Sequence, residues 1–251
     1  MSIIVRAAES VHWYRKDGTP QYTVIGKDGK ERASTLRDAR KMDLVPSVTT
    51  ILKTIYKPAL EVWKQEQLLL AALTLPKQPN ETEKSFIARV MYDSKETGRL
   101  AADRGTEIHE SIEKYYREEP VEHIKICEGF DLQVVETFGN VDLIPEESFG
   151  GGFGGKVDLH DRMFEGKGLV LDIKTKEFGP DDEVPSYEDN LMQLAAYRVG
   201  LCLPNARCAN VFVSRNHPGL VKVNEWSQED LERGWEMFSH LLKFWRLKNK
   251  F

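Results

Sequence analysis

The sequence has only three cysteines, Cys127, Cys202 and Cys208, and none forms a close C-x-x-C pair. An odd, scattered count excludes a disulfide framework. Three thiols also fall short of the four that an iron–sulfur cluster needs, so no cluster is expected. No apolar run approaches the roughly 20 residues of a membrane span. The opening "MSIIVRAAES" has neither the long apolar core nor the cleavage site of a signal peptide, which makes the cytoplasm the expected compartment and a membrane an unexpected partner. Base is not in excess either: 35 Lys and Arg stand against 40 Asp and Glu, a net charge of −5. That argues against blanket affinity for nucleic acid, although a local basic groove is enough to bind it. The glycine run "GGGFGG" (150–155) lacks the Lys-Ser/Thr that completes a phosphate loop, so nucleotide binding is not implied. What remains is 251 residues, 41% hydrophobic and 30% charged, ordinary for a globular chain of one large or two small domains.

The first 140 residues read as helix-rich. Two short strands flank the turn Asp17-Gly18-Thr19-Pro20, and Asp28-Gly29 marks a second turn. Short helices are expected over 34–43, started by Ser34 or Thr35, and after Pro46-Ser47. Strong helix formers fill 59–73. Asn80 with Glu83 reads as a capping box opening a helix to about Glu118, with a break near Gly98. Another helix covers 121–138. From about residue 141 the period changes to that of strands, in the order β-β-β-α-β-β-α, the last helix capped by Ser227. This predicts an α/β fold: residues 1–140 as a helix-rich region with a short hairpin, packed on a core at 141–251 in one continuous domain.

The chemistry concentrates in two strands. In "LVLDIKTK" (169–176), alternation puts Leu169, Leu171 and Ile173 on one face and Val170, Asp172 and Lys174 on the other. In "KVDLH" (156–160), Lys156, Asp158 and His160 likewise share a face. If the strands are hairpin neighbours, Asp158 and Asp172 converge. Two close carboxylates repel, and a divalent cation with a taste for hard oxygen, Mg²⁺ or Mn²⁺, relieves the repulsion. Lys174 then stands beside them as a cation for transition-state charge. For an isolated D-x-K tripeptide, a solvated outer face is the ordinary reading, and the company it keeps decides. In "LMQLAAY", Gln193 and Tyr197 are four apart and share a helix face. Gln193 is an amide among apolar neighbours, and a buried amide wants partners.

The series "GKVD", "LVLDIKTK" and "QLAAYR", preceded by Gly105 and His109 in "RGTEIHESIE", resembles the motifs of the PD-(D/E)xK nuclease superfamily, in its RecB-type exonuclease branch. All four motifs occur in the order of that branch, from Gly105 to Tyr197. The stretch "VPSVTTIL…LEVWK" (45–64) is similar to the start of mitochondrial genome maintenance exonucleases and their phage relatives. The resemblance implies a restriction-endonuclease-like core, a mixed central sheet flanked by helices, to which the helix at 95–118 contributes. It implies Asp158 and Asp172 as metal carboxylates, the main-chain carbonyl of Ile173 as a further ligand, and Lys174 as the catalytic lysine. His109 would add a metal ligand. Gln193 and Tyr197 would position Lys174 or contact the nucleic-acid backbone. Glu113, one turn beyond His109, is either a further site residue or a solvated one. Of Glu146 and Glu147, alternation alone cannot choose which, if either, completes the site; Glu147 is carried as the candidate.

The expected activity is a metal-dependent DNA exonuclease with Mg²⁺ or Mn²⁺ as cofactor. The expected partner is DNA, single-stranded or with free ends, in phage-type repair, recombination or replication. The alternatives are a structure-specific endonuclease using the same site and a nucleic-acid-binding module that does not cut. Mixed basic and aromatic stretches at 12–18, 36–41 and 244–251, and Trp63, Tyr92, Tyr115 and Tyr116 in the helical region, are candidates for contact with phosphates and bases. A charged solvated face and a helical core are the ordinary readings of the same residues.

Overall fold

The computed structural model describes residues 12–251. The reading of residues 1–10 as carrying no signal peptide falls outside them. The chain divides into two compact units, one comprising the residues up to Thr54 together with Ser111–Phe251, the other Ile55–Glu110. The change from helices to the main sheet falls near residue 140, between Phe138 and Ile144. Among the described residues, no helix is long and apolar enough to cross a membrane.

The first unit is mixed α/β. Its main sheet has five strands in the order β5-β6-β7-β8-β9: β5 (Ile144–Phe149), β6 (Gly155–Asp161), β7 (Leu169–Lys176), β8 (Arg207–Ser214) and β9 (Val221–Trp226). All neighbours are antiparallel except β7 and β8, which run parallel. A parallel pair needs a crossover, and here it is the helix α6 (Glu188–Gly200). The N-terminal part supplies β1 (Trp13–Tyr14), the hairpin β2 (Thr23–Ile25) and β3 (Glu31–Ala33), α1 (Leu36–Met42), β4 (Val45–Pro46) and α2 (Val48–Leu52). Thr35 caps α1 and Ser47 caps α2, as their sequences predict. α5 (Ile124–Phe138) and the long α7 (Gln228–Asn249), capped by Ser227, complete the unit. α7 packs closely on α6 because Gly234 has no side chain: a Cβ there would stand 2.8 Å from Leu191 Cγ.

The second unit holds α3 (Pro58–Thr74) and most of α4 (Glu83–Tyr116). Proline at the first position of α3 suits a site where no N–H partner is lost. Two expectations fail here. α4 is one helix with no break at Gly98, a residue that lies against Trp63, where a Cβ would stand 3.3 Å from the ring. The cap is also not Asn80, which has a left-handed φ of 63°. Thr82 does that work: its hydroxyl accepts from the Ser85 N–H at 3.2 Å. The residue whose oxygen meets the free amides of the first turn is the one directly before the helix, and a polar pair at the right spacing two residues early cannot reach them.

Three aromatic residues of the basic–aromatic stretches are core. Trp13, Tyr14 and Trp245 are buried, and Trp13 packs edge-on against Trp245 at 6.0 Å and against Phe251 at 5.5 Å. Phe244 is left exposed. The glycine run is likewise a packing device. Gly154 donates to the Pro46 carbonyl at 3.0 Å and accepts from Val48 N–H at 2.8 Å, while the Tyr14 ring occupies the place of its missing side chain. Gly150 lies against the backbone of the turn at Arg15–Gly18. A Cβ on Gly150 would meet Gly18 N at 2.6 Å and Lys16 O at 2.7 Å, and backbone cannot swing aside. Gly150→Ala is therefore expected to destabilise by about 1–3 kcal/mol. Gly152→Ala, whose Cβ would meet only an arginine nitrogen at 3.6 Å, should stay within about 0.5 kcal/mol. Urea midpoints of the two variants check this contrast; equal losses would mean that the run is not packed as described.

Candidate active site

Strand β7 is buried from Leu169 through Ile173, charge included: Asp172 is only 1% exposed. That removes the solvated outer-face reading for this residue. Helix α6 crosses over from β7 to β8 with its apolar side chains, Leu191, Leu194 and Ala195 among them, buried. The same helix brings Gln193 and Tyr197 to the charged residues of β7.

Among the described residues, three side-chain donors surround Asp172. Gln193 Nε2 donates to Oδ1 at 2.7 Å. Lys174 Nζ lies 2.6 Å from Oδ2, and Asn210 Nδ2 donates to the same oxygen at 2.8 Å. Gln193 also ties the set together: its Oε1 accepts from Lys174 Nζ at 3.1 Å, and its Nε2 reaches the Tyr197 hydroxyl at 2.9 Å. Burying a carboxylate costs several kcal/mol unless it is paired and hydrogen-bonded. Each hydrogen bond to the charged group returns about 1.5–3 kcal/mol. Tyr197 is itself buried and packs against Phe149 at 5.9 Å between ring centres. Burial, with the Asp172 and Asp158 carboxylates adding to it, holds its hydroxyl well above the ordinary tyrosine pKa. It is a neutral phenol at any working pH and orients Gln193.

Asp158 reaches the same place from β6. The register pairs Leu159 with Leu171, so Asp158 and Asp172 come from facing positions of adjacent strands. Asp158 Oδ2 accepts the Ile173 N–H at 2.8 Å, which brings its carboxylate to the backbone between Asp172 and Lys174. The donor set is thus oxygen only, two carboxylates with main-chain oxygen nearby, and this chemistry fits a hard divalent cation such as Mg²⁺ or Mn²⁺. Among the described residues, no group of three or more His, Cys, Asp or Glu side chains is gathered to hold a metal. Mg²⁺ keeps several waters and needs only one or two carboxylates, so this set suits it better than a dedicated cage would suggest.

The remaining predicted residues are distributed as follows. Glu147, on β5, is engaged by His160 Nε2 at 2.6 Å and by Arg162, whose Nε lies at 3.2 Å. Burial holds the His160 pKa below the ordinary histidine value, against the pull of Glu147. Glu146 stands between the pairs Pro145–Leu159 and Glu147–Val157, hence across from Asp158. It is paired with Arg117 at 2.8 Å and with Lys156. Both glutamates therefore meet the β6 face that carries Lys156 and His160, because a left-handed φ of 57° at Glu146 breaks the alternation of β5. Glu113 lies on the last turns of α4, in the same unit as the sheet. His109 lies on α4 within the Ile55–Glu110 unit.

Sequence reasoning missed Asn210 and Trp226. Asn210 is fully buried and pairs in register with Asp172, and the Trp226 indole N–H donates to its Oδ1 at 2.8 Å. The signal was present. An amide inside the apolar "CANVFV" is the same irregularity as the aspartate inside "LVLDI".

No family model matches the chain, and no curated protein does. Among solved structures, the chain is similar to that of SSO0001 at 16% identity, over 73% of this chain and 86% of that one, with a TM-score of 0.28, a likeness too low to carry an argument.

Proposed function

We propose that this protein is a metal-dependent deoxyribonuclease that hydrolyses phosphodiester bonds, working as an exonuclease on DNA ends. The observation that supports this most is the hydrogen-bonded set of Asp172, Lys174, Gln193 and Tyr197, drawn from a strand and its crossover helix, with Asp158 bonded to the Ile173 N–H in the middle of it. The motif resemblance names the same five residues from sequence alone.

Asp158, Asp172 and the Ile173 carbonyl would hold Mg²⁺ or Mn²⁺. Such an ion, when bound, lowers the pKa of water and neutralises phosphate charge. The rest is the work of the chain. The Lys174 ammonium offers positive charge to the oxygens that become more negative as the phosphodiester is attacked. Gln193 fixes where that ammonium sits, accepting from it on one side and donating to Asp172 on the other. Tyr197 holds the amide of Gln193 in that orientation. Glu113, on the part of α4 that belongs to the unit of the sheet, stays in the proposal as a further ligand.

Mg²⁺ or Mn²⁺ should support cleavage of end-labelled linear DNA. Ca²⁺ should bind without supporting it, because its looser coordination fixes the attacking water poorly. Undiminished cleavage after exhaustive EDTA treatment would defeat the metal reading.

Lys174→Ala should lower the rate by about 10²–10³-fold, as losing one transition-state contact does. DNA binding in Ca²⁺ should fall far less, because many phosphate contacts share that energy. A thermal melt confirms that the variant is folded, and a rate near wild type would make Lys174 an ordinary strand lysine.

Dependence on ends is tested with a single-stranded oligonucleotide in linear form and ligated into a circle. Only the linear form should be degraded. Equal loss of the circle would move the assignment to an endonuclease with the same site. Stable binding without any cleavage would move it to a non-cutting binding module.

A further inference from the structure

The sheet carries a line of hydrogen bonds running across three strands, from Trp226 on β9 through Asn210 on β8 to Asp172 on β7. The direction of each bond is fixed by chemistry. An indole N–H only donates, so the Asn210 oxygen must face Trp226. Its NH₂ must then face the Asp172 carboxylate, which only accepts. The amide has no second orientation that satisfies both neighbours. Flipped, it would set a carbonyl against a buried carboxylate and two N–H donors against each other. The bonds are also equally short, 2.8 Å each.

Asn210 shares Asp172 Oδ2 with Lys174. The two donors differ in freedom. Lys174 is a long side chain, 27% exposed on its side-chain atoms, and its ammonium can swing toward a substrate. Asn210 has no exposed surface, a short side chain and a second bond behind it. When Lys174 turns to a phosphate, Asn210 is the donor that stays on that oxygen, while Gln193 stays on the other.

We propose that Trp226 and Asn210 form a positioning relay that fixes the rotamer of the Asp172 carboxylate, so that its oxygens keep one orientation toward a cation and substrate whether or not Lys174 is engaged with it. The proposal rests on the reading of Asp172 as a metal ligand. Neither residue touches the substrate. Outer partners of this kind typically govern affinity or activity by about ten- to a hundred-fold.

The test uses Asn210→Leu, Trp226→Phe and the double variant in the full chain. Trp226→Phe keeps a smaller aromatic ring on the sheet and removes the donor. Ca²⁺ affinity is measured by calorimetry without DNA, and kcat and KM are measured with Mg²⁺ on linear DNA. Asn210→Leu should weaken Ca²⁺ binding and lower kcat about ten- to a hundred-fold, with KM for DNA little changed. Trp226→Phe should act in the same direction by several-fold. In the Asn210→Leu background it should do nothing further, because the relay is already cut. Unchanged Ca²⁺ affinity and kcat in Trp226→Phe would overturn the relay, and this arm stands even if Asn210→Leu fails to fold. Effects that multiply in the double variant would overturn it as well, since they would mark two independent packing defects. If the wild-type chain neither binds Ca²⁺ nor cleaves DNA, the nuclease reading falls by itself. The relay is then decided on urea midpoints of the same variants: the loss caused by Trp226→Phe should vanish in Asn210→Leu, and additive losses would overturn it.

Discussion

A carboxylate buried at the centre of a sheet must be answered by donors, and much of this fold supplies them to Asp172. Its neighbours in the chain are apolar and help to hold β7 inside the molecule. The charge is therefore carried into the core by the residues that make the strand. Lys174 answers from the same face two residues on, Gln193 from the crossover helix and Asn210 from the parallel strand. Remove the crossover, and both the amide of Gln193 and the pairing that aligns Asn210 are lost together. The parallel pairing of β7 with β8 is therefore a requirement of the site as well as a feature of the sheet.

The elements differ in how clearly the sequence announced them. Strands β5 to β9, α6 and α7 followed from period and punctuation, and the caps at Ser47 and Ser227 from side-chain chemistry alone, whereas the structure chose Thr35 over Ser34 for α1. The convergence of Asp158 with Asp172 also followed, because adjacent strands joined by a short turn leave little choice of partner. Alternation sorted the two faces of β7, however, without showing that both are covered from Leu169 to Ile173. A central strand next to a crossover helix has no wet face, and that depends on tertiary placement rather than on the strand's own residues.

Asn210 and Trp226 were illegible for a different reason. They lie far from Asp172 in sequence; the parallel register brings Asn210 to it, and the antiparallel pairing of β8 with β9 brings Trp226 to Asn210. A buried amide can be suspected from its apolar neighbours, but its partner cannot be named before strand order is known. The choice between Glu146 and Glu147 was illegible because the backbone at Glu146 is left-handed, with a φ of 57°, and strict alternation fails there. The glycine run posed the opposite difficulty. Its composition fits a loose connection, a ligand loop or close backbone approach, and what decides is the N-terminal segment around Tyr14 and Pro46, more than 100 positions earlier in the chain.

The crossover has a consequence for when the site comes into being. The hydrogen-bonded residues fall between Asp158 on β6 and Trp226 on β9, with β7, α6 and β8 between them. A ribosome releases this stretch in order, and the carboxylates of Asp158 and Asp172 emerge first. Gln193, Asn210 and Trp226 follow at intervals. During that time the acidic pair belongs to a chain whose buried donors have not yet arrived, and water must solvate it instead. The sheet cannot close over Asp172 at low cost until β8 has paired beside it. In this molecule, the closing of the core and the assembly of the site are one event in folding.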